Sequence, residues 1–414
     1  MLRSDLEDQL RDRSEDDGYL FPAYDSFCFA NVPHTVASIL GAETGRTLPD
    51  EALAGVETDV ENVLVVLIDG LGLNRWKSER DDVPLLKRLT ERGTVTPLTS
   101  VYPSETAAAM TTYHTGALPA EHGVIGWNVY EPTVGTSFLA LPFVDKDGNP
   151  PAGLEPGDVA DAEPWVVDLE RDVDVHYVTG YPEHEAYATN HEYESLEDLG
   201  STLEGALDAP ASPSYTFAYV PHVDVAAHQH GTTAEQYREA LAQACAQLED
   251  ALATVDRDTA EETLVLVTAD HGHVDTDPDR NVDLTEFDVL EESLERGPDG
   301  DPIRYAGSPR NVHLHLREGT VERVRDALRG RLDARVVRRE TVLEKRLFGD
   351  CEPSTTFGRR LGDLVVSHRE LGVWYGGDYE PEELELVGMH GGLNPAEMLV
   401  PLAACRLSAL QASA

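Results

Sequence analysis

A chain of 414 residues can bury a sizeable core without a disulfide or structural metal to hold it together, and it fits a single large α/β enzyme. Asp and Glu number 77 against 32 Lys and Arg, a formal net charge of -45, so the surface repels duplex nucleic acid and anionic membrane. No apolar run of about 18 residues is present and Met1 to Tyr19 lacks the apolar stretch of a secretory signal, so the expectation is a cytoplasmic protein with no membrane span.

The acidic residues are spread along the chain while the apolar segments stay regular, which argues against global disorder. The pattern is that of a protein adapted to molar salt, where a Debye length of about 3 Å screens self-repulsion. The four cysteines (Cys28, Cys245, Cys351, Cys405) form no CxxC pair, so neither a zinc ribbon nor a disulfide framework is suggested.

Residues 1–20 read as a solvated acidic segment. The first clear buried strand is Asn62 to Ile68, an apolar β-branched run that ends at Asp69-Gly70. Further strands are predicted at Thr94 to Thr99, Val175 to Thr179, Tyr215 to Val220 and Thr263 to Thr268, with helices over Val83 to Arg92, Thr106 to Thr115 and Ala234 to Val255 between them. This alternation predicts an α/β fold, a mostly parallel central sheet with helices on both faces. Residues 279–358 differ: a turn-rich Gly297 to Pro302, an alternating strand Asn311 to Leu316, a helix Thr320 to Leu332 and a strand near Ala334 to Val337. They are expected to form a small α+β insertion or lid on a catalytic core of 21–278 and 359–414, to which the chain returns with Asp363 to Ser367 and Leu399 to Cys405.

Five segments carry residues suited to chemistry. Asp69 directly follows a buried strand, where open α/β sheets bind their ligands, although a turn or N-cap aspartate reads the same way. Asp270-His271-Gly272-His273 follows a second buried strand, with Gly272 easing the turn that lets neighbouring ligands converge. Asp224 and His228 stand at i and i+4, on one face of a helical turn, as metal-binding pairs do. The competing reading there is a capped surface helix with incidental histidines; His222 and His230 are given a supporting or structural role. His390 lies between glycines in Gly388-Met-His390-Gly-Gly392, a backbone that can approach a crowded site. Pro103 breaks a strand, and the alanines after Thr106 favour a helix. Thr106 then sits at a helix N-terminus, where free N–H groups favour a bound phosphate. Taken alone it reads as well as an ordinary N-cap, with Ser104 competing for that position.

Together these residues resemble the alkaline phosphatase superfamily, specifically its nucleotide pyrophosphatase/phosphodiesterase branch. The resemblance rests on Ile68-Asp69-Gly70, Pro103-Ser-Glu-Thr106, Glu121 to Asn128, Asp224-x-x-x-His228, Asp270-His271-Gly272 and Met389-His390-Gly-Gly392, in the family's order. It implies two divalent ions: one held by Asp69, Thr106, Asp270 and His271, the other by Asp224, His228 and His390. Carboxylate and imidazole ligands suit zinc, with manganese or iron as alternatives. It further implies that Thr106 attacks phosphorus to give a phosphothreonine, while Asn128 and the Thr106 amide steady a phosphoryl oxygen. The substrate expected is a small phosphorylated molecule carrying a phosphodiester or nucleotide pyrophosphate bond.

Two departures stand out. Glu105 occupies a position that is often lysine in the family, and there is no Cys-x-Pro-x-Arg segment of the sulfatase type. The alternatives within the superfamily are a phosphomonoesterase and a carbon–phosphorus hydrolase. From another class comes a catalytically silent binding or regulatory domain, against which stands the filling of every ligand position.

Overall fold

A computed structural model describes residues 1–14, 18–169, 173–181, 187–208, 211–304, 306–375 and 381–412. Its centre is a seven-stranded sheet in the order Thr94–Thr99, Leu399–Arg406, Thr263–Thr268, Asn62–Ile68, Ser214–Val220, Asp174–Thr179, Thr189–Glu192. Leu399–Arg406 is antiparallel to both its neighbours, and the remaining pairings are parallel. Every residue of Thr263–Thr268 is buried, as expected where both faces of a strand are covered. The predicted strands and helices of this layer fall within a residue of their observed limits.

The parallel strands all end at one edge, and three of them are followed there by a segment with chemistry in it. Asp69 follows Asn62–Ile68, Asp270 follows Thr263–Thr268 by one residue, and helix His222–His230 follows Ser214–Val220. Leu399–Arg406 runs the other way, so His390 reaches the same edge from the start of that strand.

Helix Thr106–Thr115 is seated by its own small side chains. Ala107, Ala108 and Ala109 are fully buried, and Tyr113 stacks on Phe217 at 4.8 Å and shares a hydroxyl hydrogen bond of 2.8 Å with Tyr215. Its far end is fixed by His122. His122 Nδ1 accepts from the Val124 N–H (3.0 Å), so Nε2 carries the proton and donates to Thr112 Oγ1 (3.0 Å).

Burial, then the nearby Arg360 guanidinium, pushes His122 down to about 3 from an ordinary 6.5. The unfolded chain therefore takes up this proton first. The stability it provides is complete above about pH 6.5 and is lost as pH falls toward 3, at about 1.4 kcal/mol per pH unit. Denaturant unfolding between pH 7 and 5 in molar KCl should show stability falling less steeply in His122→Gln than in the unsubstituted chain, by about that amount. An unchanged slope in the variant would contradict the assignment.

A second sheet, of six strands, corrects two expectations. Its order is Ala334–Arg338, Leu364–His368, Asn311–Leu314, Gly307–Ser308, Asn128–Glu131, Thr136–Leu139, with antiparallel pairing throughout. Leu364–His368 thus does not return to the main sheet; it pairs with Asn311–Leu314 and Ala334–Arg338 and buries Leu364 and Val366 against Leu314, Val324 and Leu328. The layer also draws on residues 128–139, well before the stretch read as an insertion.

Two buried ion pairs hold this layer, the first joining it to the main one and the second bracing it internally. Arg310 meets Glu397 through Nε (2.9 Å) and Nη2 (2.7 Å), and Arg360 meets Glu131 at 2.9 Å. Removing one partner of such a pair leaves an uncompensated charge, costing on the order of 3–5 kcal/mol.

Candidate active site

Two clusters of ligand-type side chains lie at the shared sheet edge. In the first, Asp69, Asp270 and His271 bring their ligand atoms within 4.8 Å of one another. His271 Nδ1 donates to the Gly272 carbonyl (3.1 Å), leaving Nε2 with its lone pair facing inward. That nitrogen lies 3.4 Å from Asp69 Oδ1, 3.4 Å from Asp270 Oδ2 and 3.1 Å from Thr106 Oγ1. Asp270 Oδ1 accepts from the Gly70 and His271 amides (3.2 and 3.0 Å), while Asp270 Oδ2 and Asp69 Oδ1 are buried without a hydrogen-bond partner.

The second cluster is Asp224, His228 and His390, joined by His273. His228 Nδ1 donates to the Gly388 carbonyl (2.6 Å), so its Nε2 also presents a lone pair, 3.3 Å from Asp224 Oδ2 and 3.1 Å from His390 Nε2. The His271 and His390 rings stack at 3.7 Å, which makes the clusters neighbours with a common wall.

Two glycines are required by close approach. A Cβ on Gly272 would lie 2.2 Å from the Ala396 carbonyl oxygen, and one on Gly391 (φ +114°) would lie 2.8 Å from Ser308 Oγ. Glu397 holds both loops. Its carboxylate accepts from the Gly392 amide (3.0 Å), its carbonyl from the Gly272 amide (2.8 Å), and Arg310 fixes it from the second sheet.

Thr106 is the first residue of its helix, and Glu105 is the extended residue before it. Ser104, the rival for the cap, instead donates its hydroxyl to the Gly392 carbonyl at 2.7 Å. Thr106 and Asn128 line one cavity of about 1760 Å³ together with Asp69, Asp224, His228 and His390. His222 and His230 belong to neither cluster.

His273 is the residue that sequence reading passed over. Its Nε2 lies 2.8 Å from Asp224 Oδ1 and its Nδ1 3.2 Å from the Gly70 carbonyl, so it is tied to both segments. The spacing His271-Gly-His273 held the signal: alternate residues across a turning glycine.

The electrostatics are those of a site built for cations. Burial, followed by the neighbouring Asp270 and Asp224 carboxylates, pushes Asp69 well above the ordinary carboxylate range. Burial would raise Asp224 as well, but His228 and the hydrogen bond from His273 outweigh it and hold that carboxyl well below. His390 is pushed well below its usual range by burial and then by His271. Buried acids with unpartnered oxygens, and His271 and His228 with Nδ1 already committed to a carbonyl, suit divalent ions. Glu105, buried beside Thr106, is pushed by burial up to about 7, opposed by Ser308 and the Trp127 amide.

Residues 63–393 match the type I phosphodiesterase / nucleotide pyrophosphatase family, which is most of the chain. The chain belongs to that family. Its members are phosphoric ester hydrolases, and the expected superfamily and α/β architecture are both found.

An uncharacterized pyrophosphatase/phosphodiesterase of Schizosaccharomyces pombe is 29% identical over 192 residues, 43% of this chain and 37% of that protein. The match therefore spans well under half of the curated relative. Among solved structures, murine ectonucleotide pyrophosphatase/phosphodiesterase 5, an inactive variant in complex with AMP, has a TM-score of 0.64 at 17% identity, covering 83% of this chain and 88% of that one. Phosphonoacetate hydrolase from Sinorhizobium meliloti, in complex with phosphonoformate, has a TM-score of 0.58 at 19% identity, covering 84% and 94%. These likenesses show the fold.

Proposed function

We propose that this chain is a two-metal hydrolase that cleaves phosphodiester or nucleotide pyrophosphate bonds through a phosphothreonine on Thr106. The observation that carries the reading is Thr106 Oγ1 at a helix N-terminus, 3.1 Å from His271 Nε2, in the cavity lined by both aspartate–histidine clusters. Asp69, Thr106, Asp270 and His271 hold one divalent ion and Asp224, His228 and His390 the other, with zinc the metal that imidazole and carboxylate donors suit best. When bound, the ions supply Lewis acidity that lowers the pKa of the nucleophile and neutralises charge on the phosphoryl group and leaving oxygen.

The protein's own part is positioning. Oγ1 of Thr106 gives up its proton and attacks phosphorus, a new O–P bond forms, and the bond to the leaving group breaks, its oxygen departing with the electron pair and taking up a proton. The first amides of helix Thr106–Thr115, with Asn128, steady a phosphoryl oxygen during that transfer. Water then adds to phosphorus, the P–Oγ1 bond breaks, a proton from that water restores the threonine hydroxyl and the phosphorylated product leaves. AMP in the murine neighbour and phosphonoformate in the bacterial one support a small phosphorus-containing anion as the ligand here.

A substrate panel tests the reading. In molar KCl with zinc, manganese and magnesium added separately, bis(p-nitrophenyl) phosphate is expected to turn over at least about tenfold faster, by kcat/KM, than p-nitrophenyl phosphate or phosphonoacetate. Tenfold corresponds to about 1.4 kcal/mol of transition-state preference. A monoester or the phosphonate as the best substrate would replace the diesterase assignment with that activity; no turnover of any of the three would remove it.

A further inference from the structure

Each carboxylate of the two clusters has one oxygen already engaged by the protein, and the three are held by different means. Asp270 Oδ1 rests on two backbone amides, those of Gly70 and His271. Asp224 Oδ1 lies against His273 Nε2. Asp69 Oδ2 receives the hydroxyl of Tyr219, while Asp69 Oδ1 is buried, unpartnered and 3.4 Å from His271 Nε2. Backbone amides cannot be lost by substitution, but a tyrosine hydroxyl can.

Tyr219 is itself well fixed. It lies on Ser214–Val220, opposite Leu67 of the strand that delivers Asp69, and its carbonyl accepts the Tyr193 hydroxyl at 2.6 Å. Its ring lines the catalytic cavity.

We infer that Tyr219 is a positioning residue of the first metal centre: its hydroxyl occupies Asp69 Oδ2 and so presents Oδ1, and only Oδ1, to the ion. A carboxylate free at both oxygens can rotate or bind an ion through both. One oxygen committed to a donor fixes a one-oxygen ligand and its direction, and partners of this kind commonly change metal affinity by about 10–100-fold when removed. The inference rests on the two-ion reading above. It extends that reading from the ligands to a residue that touches neither ion nor reacting atoms.

Tyr219→Phe removes one oxygen and keeps the ring, so cavity shape is preserved. The experiment is chelator-competition titration of both dissociation constants with zinc, together with NMR of the cadmium-loaded protein. In Tyr219→Phe the chain is expected to bind two ions still, one about 10–100-fold more weakly and the other within twofold of the unsubstituted protein, with one of two cadmium resonances displaced. Tyr237→Phe, a buried hydroxyl deletion on helix Glu235–Thr254 that breaks no hydrogen bond among the described residues, should leave both constants unchanged.

Unchanged constants in Tyr219→Phe, or weakening of both ions alike, would overturn the inference. So would a variant that fails to fold with metal present, since the hydroxyl would then be serving the fold. If the unsubstituted protein binds no ions or one, the two-ion reading itself fails, a result separate from any of these.

Discussion

Thr106→Ala is expected to lower phosphodiester turnover by at least about 10³-fold while leaving fold and metal content intact. A covalent route has no substitute for its nucleophile, and deleting one commonly leaves only the catalysis that binding and oxyanion contacts provide. The fold has little to lose: the position is the first of a helix whose next three residues are already alanine. Ser104→Ala is the matched control. Its hydroxyl is spent on the Gly392 carbonyl 2.7 Å away, so that variant should keep more than about a tenth of the rate, a loss under 1.4 kcal/mol in barrier. Near-normal turnover in Thr106→Ala, or a collapse confined to Ser104→Ala, would move the nucleophile elsewhere.

Removal of divalent ions is expected to abolish turnover at every salt concentration and to lower the melting temperature. Asp69 and Asp270 are buried in one cluster and Asp224 in the adjoining one, so in the absence of ions these acids lie close together with no divalent charge to offset them. An ion that binds only the folded chain adds about 2.7 kcal/mol at a hundredfold excess over its dissociation constant. The formal charge of -45 acts separately and is screened by salt. We propose that the acidic surface serves a molar-salt environment, so stability and activity of the metal-saturated protein should both rise toward molar KCl, where the Debye length is about 3 Å. Full stability and maximal turnover in dilute buffer would give the acidic surface another cause and leave the two-metal site standing. Full activity after exhaustive chelation would sink the site.

Six strands of the main sheet were legible in the sequence because they are largely buried, and a run such as Asn62 to Ile68 leaves little other reading, whereas the edge strand Thr189–Glu192, with no buried residue, was not. The gathering of the candidate ligands was legible for a related reason. Strand ends fix where Asp69 and Asp270 stand, and an i, i+4 pair on a helix fixes Asp224 against His228. The second sheet was not. Its strands are as short as Gly307–Ser308, they pair antiparallel across large separations, and Leu364–His368 reads like any core strand until its partners are known.

Arg310 and Glu397 stand 87 residues apart, and neither is distinctive alone. Tyr219 is a strand-forming aromatic whose hydroxyl partner lies 150 residues away. Such contacts depend on register between strands, which local pattern does not encode.

The central claim is a covalent intermediate on Thr106, and acid quenching tests it most directly. The protein, saturated with metal in molar KCl, is mixed with bis(p-nitrophenyl) phosphate, stopped in acid within its first turnovers, digested and weighed by mass spectrometry. The account predicts a peptide carrying the p-nitrophenyl phosphoryl group on Thr106, absent from Thr106→Ala and from chelated protein. Turnover at full rate with no label on that peptide, or with the label on another residue, would contradict it.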